Sequence, residues 1–406
     1  MRKRVILITN AFPYGAHEAN FVKPELPYLL QNFDLTIITK NSTDALVTEL
    51  GDDADVFRYS TEMIGLKDLV RNIRWILSKD FIEEQFHNAK RPDKMICLLK
   101  FAIRASHFAR FADSVRKKYD QPVIFYCFWN DYTAYGTARL CEITGDKCVS
   151  RIHGGDLYKL SENHYYQPLK KALARRFDRI IFISHAGKRY YIENYAPESE
   201  QNLICFYMGI DNQSGIRNQP STDGVLRLVS VSNINPGKRV ERIAAALSLI
   251  SDLRIEWTHI GSGETEQNVK EYTNAYLSGK TNISYRFLGR LSNLRVREYY
   301  ETECVDALLN VSISEGLPVS MMEAASYGVP LIGTNVGGVS EIIQTDNGIL
   351  IEKDFSDEEL ADVLKRFCTM DTETKMRMRD SSYRVWETTF DAKKNYQSLV
   401  KEMEAL

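Results

Sequence analysis

The run Val305-Asp306-Ala307-Leu308-Leu309-Asn310-Val311-Ser312-Ile313 leads into Ser314-Glu315-Gly316-Leu317-Pro318-Val319-Ser320 and on to Met321-Met322-Glu323-Ala324. The first part, apolar and β-branched, has the character of a buried strand. The last part, from Met321 to Tyr327, reads as the start of a helix. Two carboxylates, Glu315 and Glu323, with seven residues between them, therefore flank a helix start at the end of a buried strand. In an open α/β sheet, ligands bind outside the carboxyl ends of the strands. A helix start offers unpaired N–H groups to an anion. A phosphate can sit there while the carboxylates accept hydrogen bonds from sugar hydroxyls, chemistry that fits a sugar nucleotide.

Outward from this stretch, short strand patterns alternate with longer helical ones, the rhythm of parallel βαβ units. Strands are expected at 4–9, 35–39, 123–128, 148–153 and 179–184, then at 226–232, 255–260, 283–288, 305–313 and 330–334. Residues 211–224, rich in Asn, Gln, Ser, Pro and Gly, interrupt the rhythm and read as a linker. The expectation is two Rossmann-like, doubly wound domains facing across a cleft, at 1–215 and 216–390, with a C-terminal helix at 391–406 packing back on the first.

Composition sets outer bounds. A chain of 406 residues with 44% hydrophobic and 26% charged residues suits two soluble domains. A net charge of −2 gives no global attraction to nucleic acid. No apolar run approaches the roughly 18 residues of a membrane span. The run Val5-Ile6-Leu7-Ile8 stops at Asn10 and Pro13, which fits a first buried strand better than a leader. Seven scattered cysteines without a Cys-x-x-Cys favour a reducing, cytoplasmic setting over zinc or disulfides.

The order of motifs resembles a retaining glycosyltransferase of family 4, with the GT-B fold. The resemblance runs through Val231-Ser232-Asn233-Ile234-Asn235-Pro236-Gly237-Lys238-Arg239-Val240, His259-Ile260-Gly261-Ser262-Gly263, Phe287-Leu288-Gly289-Arg290-Leu291, the Glu315–Glu323 stretch, and Gly333-Thr334-Asn335-Val336-Gly337-Gly338-Val339-Ser340-Glu341. It is looser in the first half, through the 10–25 loop, His153-Gly154-Gly155-Asp156 and Met208-Gly209-Ile210-Asp211.

That resemblance implies roles. Glu323 would hold the ribose hydroxyls of the nucleotide and Glu315 would contact the donor sugar. Backbone N–H groups of Val319 and Ser320 would meet the diphosphate. Lys238 would act as a point charge on the leaving diphosphate. The family usually has arginine five residues before this lysine; here that place is Asn233, so Arg239 or another cation would have to substitute. Gly289, Arg290 and Leu291 fall where nucleobase-binding backbone is expected, although an ordinary turn accounts for Arg290 equally well. Gly261-Ser262-Gly263 lacks the third glycine of a dinucleotide fingerprint and reads as a tight turn.

In the first half, Gly15 ends the first strand's loop, where backbone would approach the donor phosphate. Glu18 and Glu25 share a helical face; Glu18 could meet acceptor hydroxyls, while Glu25 reads as solvated charge. His153 would stand near the donor sugar, and Asp156 either serves the acceptor or caps a helix.

The implied activity is retaining transfer of a sugar from a nucleotide-diphosphate sugar to a glycan or lipid-linked acceptor. No metal or other cofactor is expected, since Lys238 and the helix N–H groups would meet the charge of the diphosphate. The alternatives are a sugar-nucleotide-binding scaffold without turnover and a GT-B-like epimerase or phosphorylase; donor turnover separates them. Residues 66–118 hold thirteen Lys or Arg against six Asp or Glu. They read as a surface helix with Phe101, Ala105, Phe108, Ala112 and Val115 inward. The sharper reading is a peripheral contact with an anionic membrane, using Lys100, Arg104 and Arg110 with Trp75, Phe101 and Phe108.

Overall fold

The computed structural model describes residues 2–40, 46, 48–50, 53–60, 72–88, 91–158, 166–195 and 197–406. The chain divides into two compact units, Met1–Met208 with Lys394–Leu406, and Gly209–Lys393.

The first unit is built on a seven-stranded parallel sheet in the order β3-β2-β1-β4-β5-β6-β7. The strands are β1 (Arg4–Thr9), β2 (Asp34–Thr39), β3 (Ala54–Arg58), β4 (Val123–Cys127), β5 (Lys147–Ile152), β6 (Arg179–Phe182) and β7 (Leu203–Cys205). The second unit has a six-stranded parallel sheet in the order β10-β9-β8-β11-β12-β13. Its strands are β8 (Val225–Val231), β9 (Arg254–Ile260), β10 (Ile283–Phe287), β11 (Ala307–Asn310), β12 (Leu331–Thr334) and β13 (Gly348–Ile351). Each order reverses once, between β1 and β4 and between β8 and β11, which makes a crevice at the strand ends.

All ten expected strands are present. The three not anticipated, β3, β7 and β13, all lie at sheet edges. An edge strand needs no continuous apolar run, and β3 is half-buried at Ala54, Val56 and Phe57 and exposed at Asp55 and Arg58. The interior strands are legible because helices cover both faces: all of Val5 to Ile8 and Val123 to Phe128 are buried.

The Asn-rich stretch 211–224 is no free tether. Buried Asn212 donates to the Ser326 carbonyl at 2.7 Å, and buried Asn218 donates to the carbonyls of Tyr300 and Glu303 at 2.7 Å each. The C-terminal helix, Ala392–Glu404, joins the first unit from Lys394 onward. There the Tyr396 ring lies 5.6 Å from that of Tyr28.

The basic stretch differs from its sharper reading. Lys67, Arg71 and Lys90 lie outside the described residues. The helix Pro92–Arg116 buries Ala105, Phe108, Ala112 and Val115. Phe108 is fully buried, Phe101 packs on the core, and the Trp75 ring meets Tyr135 and the Arg139 guanidinium. Those aromatic rings are already packed. Arg110 donates to Asn72 and Ser106. Among the described residues, Ile73, Leu77, Ile82, Phe86 and Ile96 are the exposed large apolar groups of this region, at 52, 63, 37, 78 and 55% exposure.

Glu25 overturns its reading as solvated charge. It is fully buried and pairs with buried Arg151 at 2.7 Å. Burial pushes its pKa up, and Arg151 opposes that rise. Removing one partner of such a pair strands a buried charge. Glu25→Ala should therefore destabilise the first unit by about 3–5 kcal/mol. Urea unfolding monitored by tryptophan fluorescence measures it; a loss under about 1 kcal/mol, typical of an exposed pair, would contradict the buried-pair account.

Candidate active site

The helix Val319–Ser326 follows the loop after β11 and buries Met321, Met322, Ala324 and Ala325. Those apolar residues seat it on the sheet with its N-terminus at the β8/β11 crevice. Met321 and Met322 donate their N–H groups to the Pro318 carbonyl at 3.1 and 3.3 Å. The N–H groups of Val319 and Ser320 have no backbone partner among the described residues. Two donors at the positive end of a helix therefore face outward, ready for an anion.

Glu315 and Lys238 come together at this crevice. Lys238 closes a short 3-10 turn, Pro236–Lys238, shortly after β8. Its Nζ donates to Glu315 Oε1 at 2.5 Å. Ile313 N–H donates to the Gly237 carbonyl at 2.8 Å, so backbone and side chains both bridge the ends of β8 and β11. Asn310 Nδ2 also donates to Glu315 Oε1, at 3.2 Å. Oε2 has no partner among the described residues. Lys238 keeps further N–H donors for a second anion, because an ammonium carries three. Asn310 was not singled out from the sequence; a lone amide in an otherwise apolar strand was its signal.

Glu323 lies one turn inside the helix and is buried. Its carboxylate has no hydrogen bond or ion pair among the described residues. Burial pushes its pKa up to about 7, against the opposing charge of Arg297. A buried carboxylate without donors is costly unless a ligand supplies them.

Asn233 is exposed, and its Oδ1 accepts from Arg290 at 3.4 Å. Gly289, before Arg290, has a positive φ of 68°, which suits glycine at the turn after β10. Leu291 continues that turn towards the helix Asn293–Thr302. Gly261 and Gly263 are there for close packing. A Cβ on Gly261 would stand 1.8 Å from the Ser232 carbonyl oxygen, and one on Gly263 2.0 Å from that of Ile234.

Arg239 does not supply the substitute charge at Asn233. Its guanidinium donates to the carbonyls of Val311, Lys353 and Ser312 and lies 4.9 Å from the Phe355 ring centre. Burial, with Arg242 nearby, lowers its pKa. It braces the loop rather than facing a ligand.

In the first unit, two acceptor-side expectations are corrected. Glu18 is buried and accepts from the N–H groups of Asn10 at 2.9 Å, Ala11, and Phe12 at 2.7 Å, and from the Trp129 indole at 2.5 Å. It clamps the loop after β1 to the end of β4. Asp156 is also buried; its oxygens accept from the N–H groups of His153 at 2.6 Å and Asn130 at 2.8 Å. Burial raises its pKa to about 6, opposed by Lys170, whose own pKa burial lowers to about 8. Both carboxylates are used up holding strand ends together. Trp129, Asn130 and Lys170, which complete these clamps, were not anticipated.

His153 keeps a candidate role. Its ring lies 4.4 Å from Trp129 and 4.9 Å from Phe128, centre to centre, and both ring nitrogens are buried without a partner among the described residues. Burial, aided by the Arg151 charge, holds its pKa well below the usual histidine value. The neutral ring has one donor and one acceptor to offer. Gly15, with φ 76°, stands at the start of the helix Ala16–Val22.

The crystal structure of Anabaena Alr3699/HepE in complex with UDP-glucose superposes on the chain with a TM-score of 0.68 at 16% identity, over 99% of this chain and 100% of that one. At that identity the likeness establishes the fold. With two parallel, doubly wound sheets, this is a GT-B protein. Residues 212–385, all in the second unit, match the family model described as Glycosyl transferases group 1. The amylovoran biosynthesis glycosyltransferase AmsK of Erwinia amylovora is 22% identical over 278 residues, 66% of each chain. The O-antigen biosynthesis glycosyltransferase WbnH of Escherichia coli is 28% identical over 218 residues, 53% of this chain and 59% of its own. The aligned regions span less than two thirds of those relatives' lengths.

The state of Glu323 gives a pH test. Hydroxyl donors favour the ionised carboxylate, so the proton bound below about pH 7 must leave when a ribose diol binds. Nucleoside diphosphate affinity should fall as pH drops from 8 to 6, approaching about tenfold per unit at the low end. In Glu323→Gln this component should vanish while any phosphate titration remains. Isothermal titration across that range measures both; identical profiles would count against the assignment.

Proposed function

We propose that the protein transfers a sugar from a nucleoside diphosphate donor to an acceptor hydroxyl, with retention of configuration and without a metal. The observation that carries this reading is the buried Glu323 carboxylate, without a hydrogen-bond or ion-pair partner among the described residues, one turn inside a helix whose first N–H groups have no backbone partner among them. A ribose diol supplies the donors that Glu323 lacks. The diphosphate meets the N–H groups of Val319 and Ser320, and the free Oε2 of Glu315 accepts from a sugar hydroxyl.

In the reaction, the anomeric carbon–oxygen bond to the diphosphate breaks and a bond to the acceptor oxygen forms on the same face. The acceptor proton passes to the departing phosphate oxygen, so no protein base is required. Negative charge grows on the diphosphate, and Lys238 is worth most at that moment. The crystallised likeness to a UDP-glucose complex supports a uridine donor. The names of AmsK and WbnH support a surface polysaccharide or its precursor as acceptor. The acceptor side is proposed for the first unit, and neutral His153 is kept as a candidate hydrogen-bonding group for the donor sugar.

The test is donor turnover. UDP-sugars incubated with cell-envelope extract should release UDP and label glycan, and a chelator should leave the rate unchanged. Lys238→Ala should lower kcat about 10²–10³-fold with a smaller change in donor affinity. Binding without turnover would favour a scaffold, and activity that requires added magnesium or manganese would refute the metal-free mechanism.

A lipid-linked acceptor would bring the enzyme to a membrane surface. No helix among the described residues is long and apolar enough to cross one. The proposed contact uses exposed Ile73, Leu77, Phe86 and Ile96 with Arg74, Lys100 and Arg104, cations that make no ion pair among the described residues. Each such cation contributes on the order of 1 kcal/mol near anionic lipid, and salt screens it. Sedimentation with phosphatidylglycerol vesicles should show binding that falls with salt and with Phe86→Ser combined with Lys100→Glu and Arg104→Glu. Absent binding at low salt would refute the membrane contact and leave the transfer reaction untouched.

A further inference from the structure

The donor unit has a charge deficit at its anion site. A diphosphate brings about two negative charges and needs cations not already balanced. Lys238 is 2.5 Å from Glu315, so much of its charge is compensated. Arg239 is turned to three carbonyls, and Arg242 is paired with Asp357. Arg290 differs. It is exposed, and its one hydrogen bond among the described residues goes to a neutral amide, Asn233 Oδ1, at 3.4 Å.

The backbone holds these two residues in place. Ser232 N–H donates to the Ile260 carbonyl at 3.1 Å, and Ile234 N–H donates to that of Ser262 at 3.0 Å, fixing Asn233 beside the end of β9. On the other side of β9, Leu288 N–H donates to the His259 carbonyl at 2.9 Å, and Gly261 N–H donates to the Gly289 carbonyl at 2.8 Å. The ends of β8, β9 and β10 are thereby joined. Asn233 and Arg290 lie two strands apart, roughly 10 Å across the sheet, a span for a long side chain.

We propose that Arg290 is the diphosphate-binding cation of this site, reaching back across β9 with Asn233 as its rest; this depends on the donor reading above. The Asn233 contact uses one of five guanidinium N–H groups, leaving an edge that can take two phosphate oxygens together. It also explains the asparagine. A cation at 233 would stand within hydrogen-bonding reach of Arg290 and repel it, whereas an amide oxygen accepts from it. The pair places one positive charge at this spot and supplies it from β10 rather than β8.

UDP, GDP and ADP are titrated into the wild-type protein, and the tightest binder is carried forward with its nucleoside. Arg290→Gln should weaken the nucleoside diphosphate roughly 10–100-fold while leaving the nucleoside within about twofold. Adding Asn233→Arg to Arg290→Gln should restore most of the loss, since the charge returns to the same place. Arg290→Lys should fall between, keeping charge without the planar fork. Equal losses for nucleoside and diphosphate would mark Arg290 as a structural or nucleobase residue and overturn the assignment. So would unchanged diphosphate affinity, or failure of Asn233→Arg to rescue a variant whose melting temperature is intact. If the wild-type protein binds none of the three diphosphates, the donor reading fails and this assignment falls with it.

Discussion

The reversal of strand order between β8 and β11 is the constraint on which the donor site depends. Where two neighbouring parallel strands send their following segments to opposite sides, a crevice opens at their carboxyl ends. Here β8 is followed by the turn that carries Lys238, and β11 by the loop that carries Glu315. The 2.5 Å ion pair and the bond from Ile313 N–H to the Gly237 carbonyl span that crevice. They fix the loop between β11 and the helix Val319–Ser326, and so fix where its free N–H groups point. Without that bridge, the helix N-terminus and the Glu315 carboxylate would have no common frame.

The first unit has the same crevice, between β1 and β4, and treats it differently. There Glu18 accepts from three successive backbone N–H groups and from Trp129. The position where a ligand anion would meet backbone donors already holds the protein's own carboxylate. Asp156 repeats the pattern between the ends of β4 and β5. The two units thus share one topology, but among the described residues the second leaves backbone donors open at the reversal where the first fills them with Glu18. That asymmetry is a physical reason to place the nucleotide on the second unit.

Much of this was legible in the sequence. Interior strands announce themselves because both faces are covered by helices, and the strand–loop–helix order around Glu315 and Glu323 placed both carboxylates at the crevice. Edge strands β3, β7 and β13 were not legible, since one-sided pairing relaxes the apolar pattern. Glu18, Glu25 and Asp156 were read as solvent-facing, capping or acceptor groups, because spacing along a helix cannot show which N–H groups another strand brings near. Arg239 was misjudged for the same reason: its three carbonyl partners come from residues more than 70 positions away. The pairing of Arg290 with Asn233 crosses 57 positions and is equally invisible to local pattern.

The two carboxylates that opened the argument end in opposite situations. Glu315 has a cation and an amide on one oxygen, so the folded protein already satisfies most of what it asks. Glu323 has burial, an elevated pKa and no donor among the described residues. A ligand hydroxyl at Glu315 must compete with contacts already made, while one at Glu323 relieves a desolvation cost that the protein bears alone. On the proposed reading, binding energy is concentrated at the ribose, away from the reacting carbon. That is where a transferase gains from it, because tight holding of the unreactive part of the donor leaves Glu315 and Lys238 to respond to changes at the breaking bond.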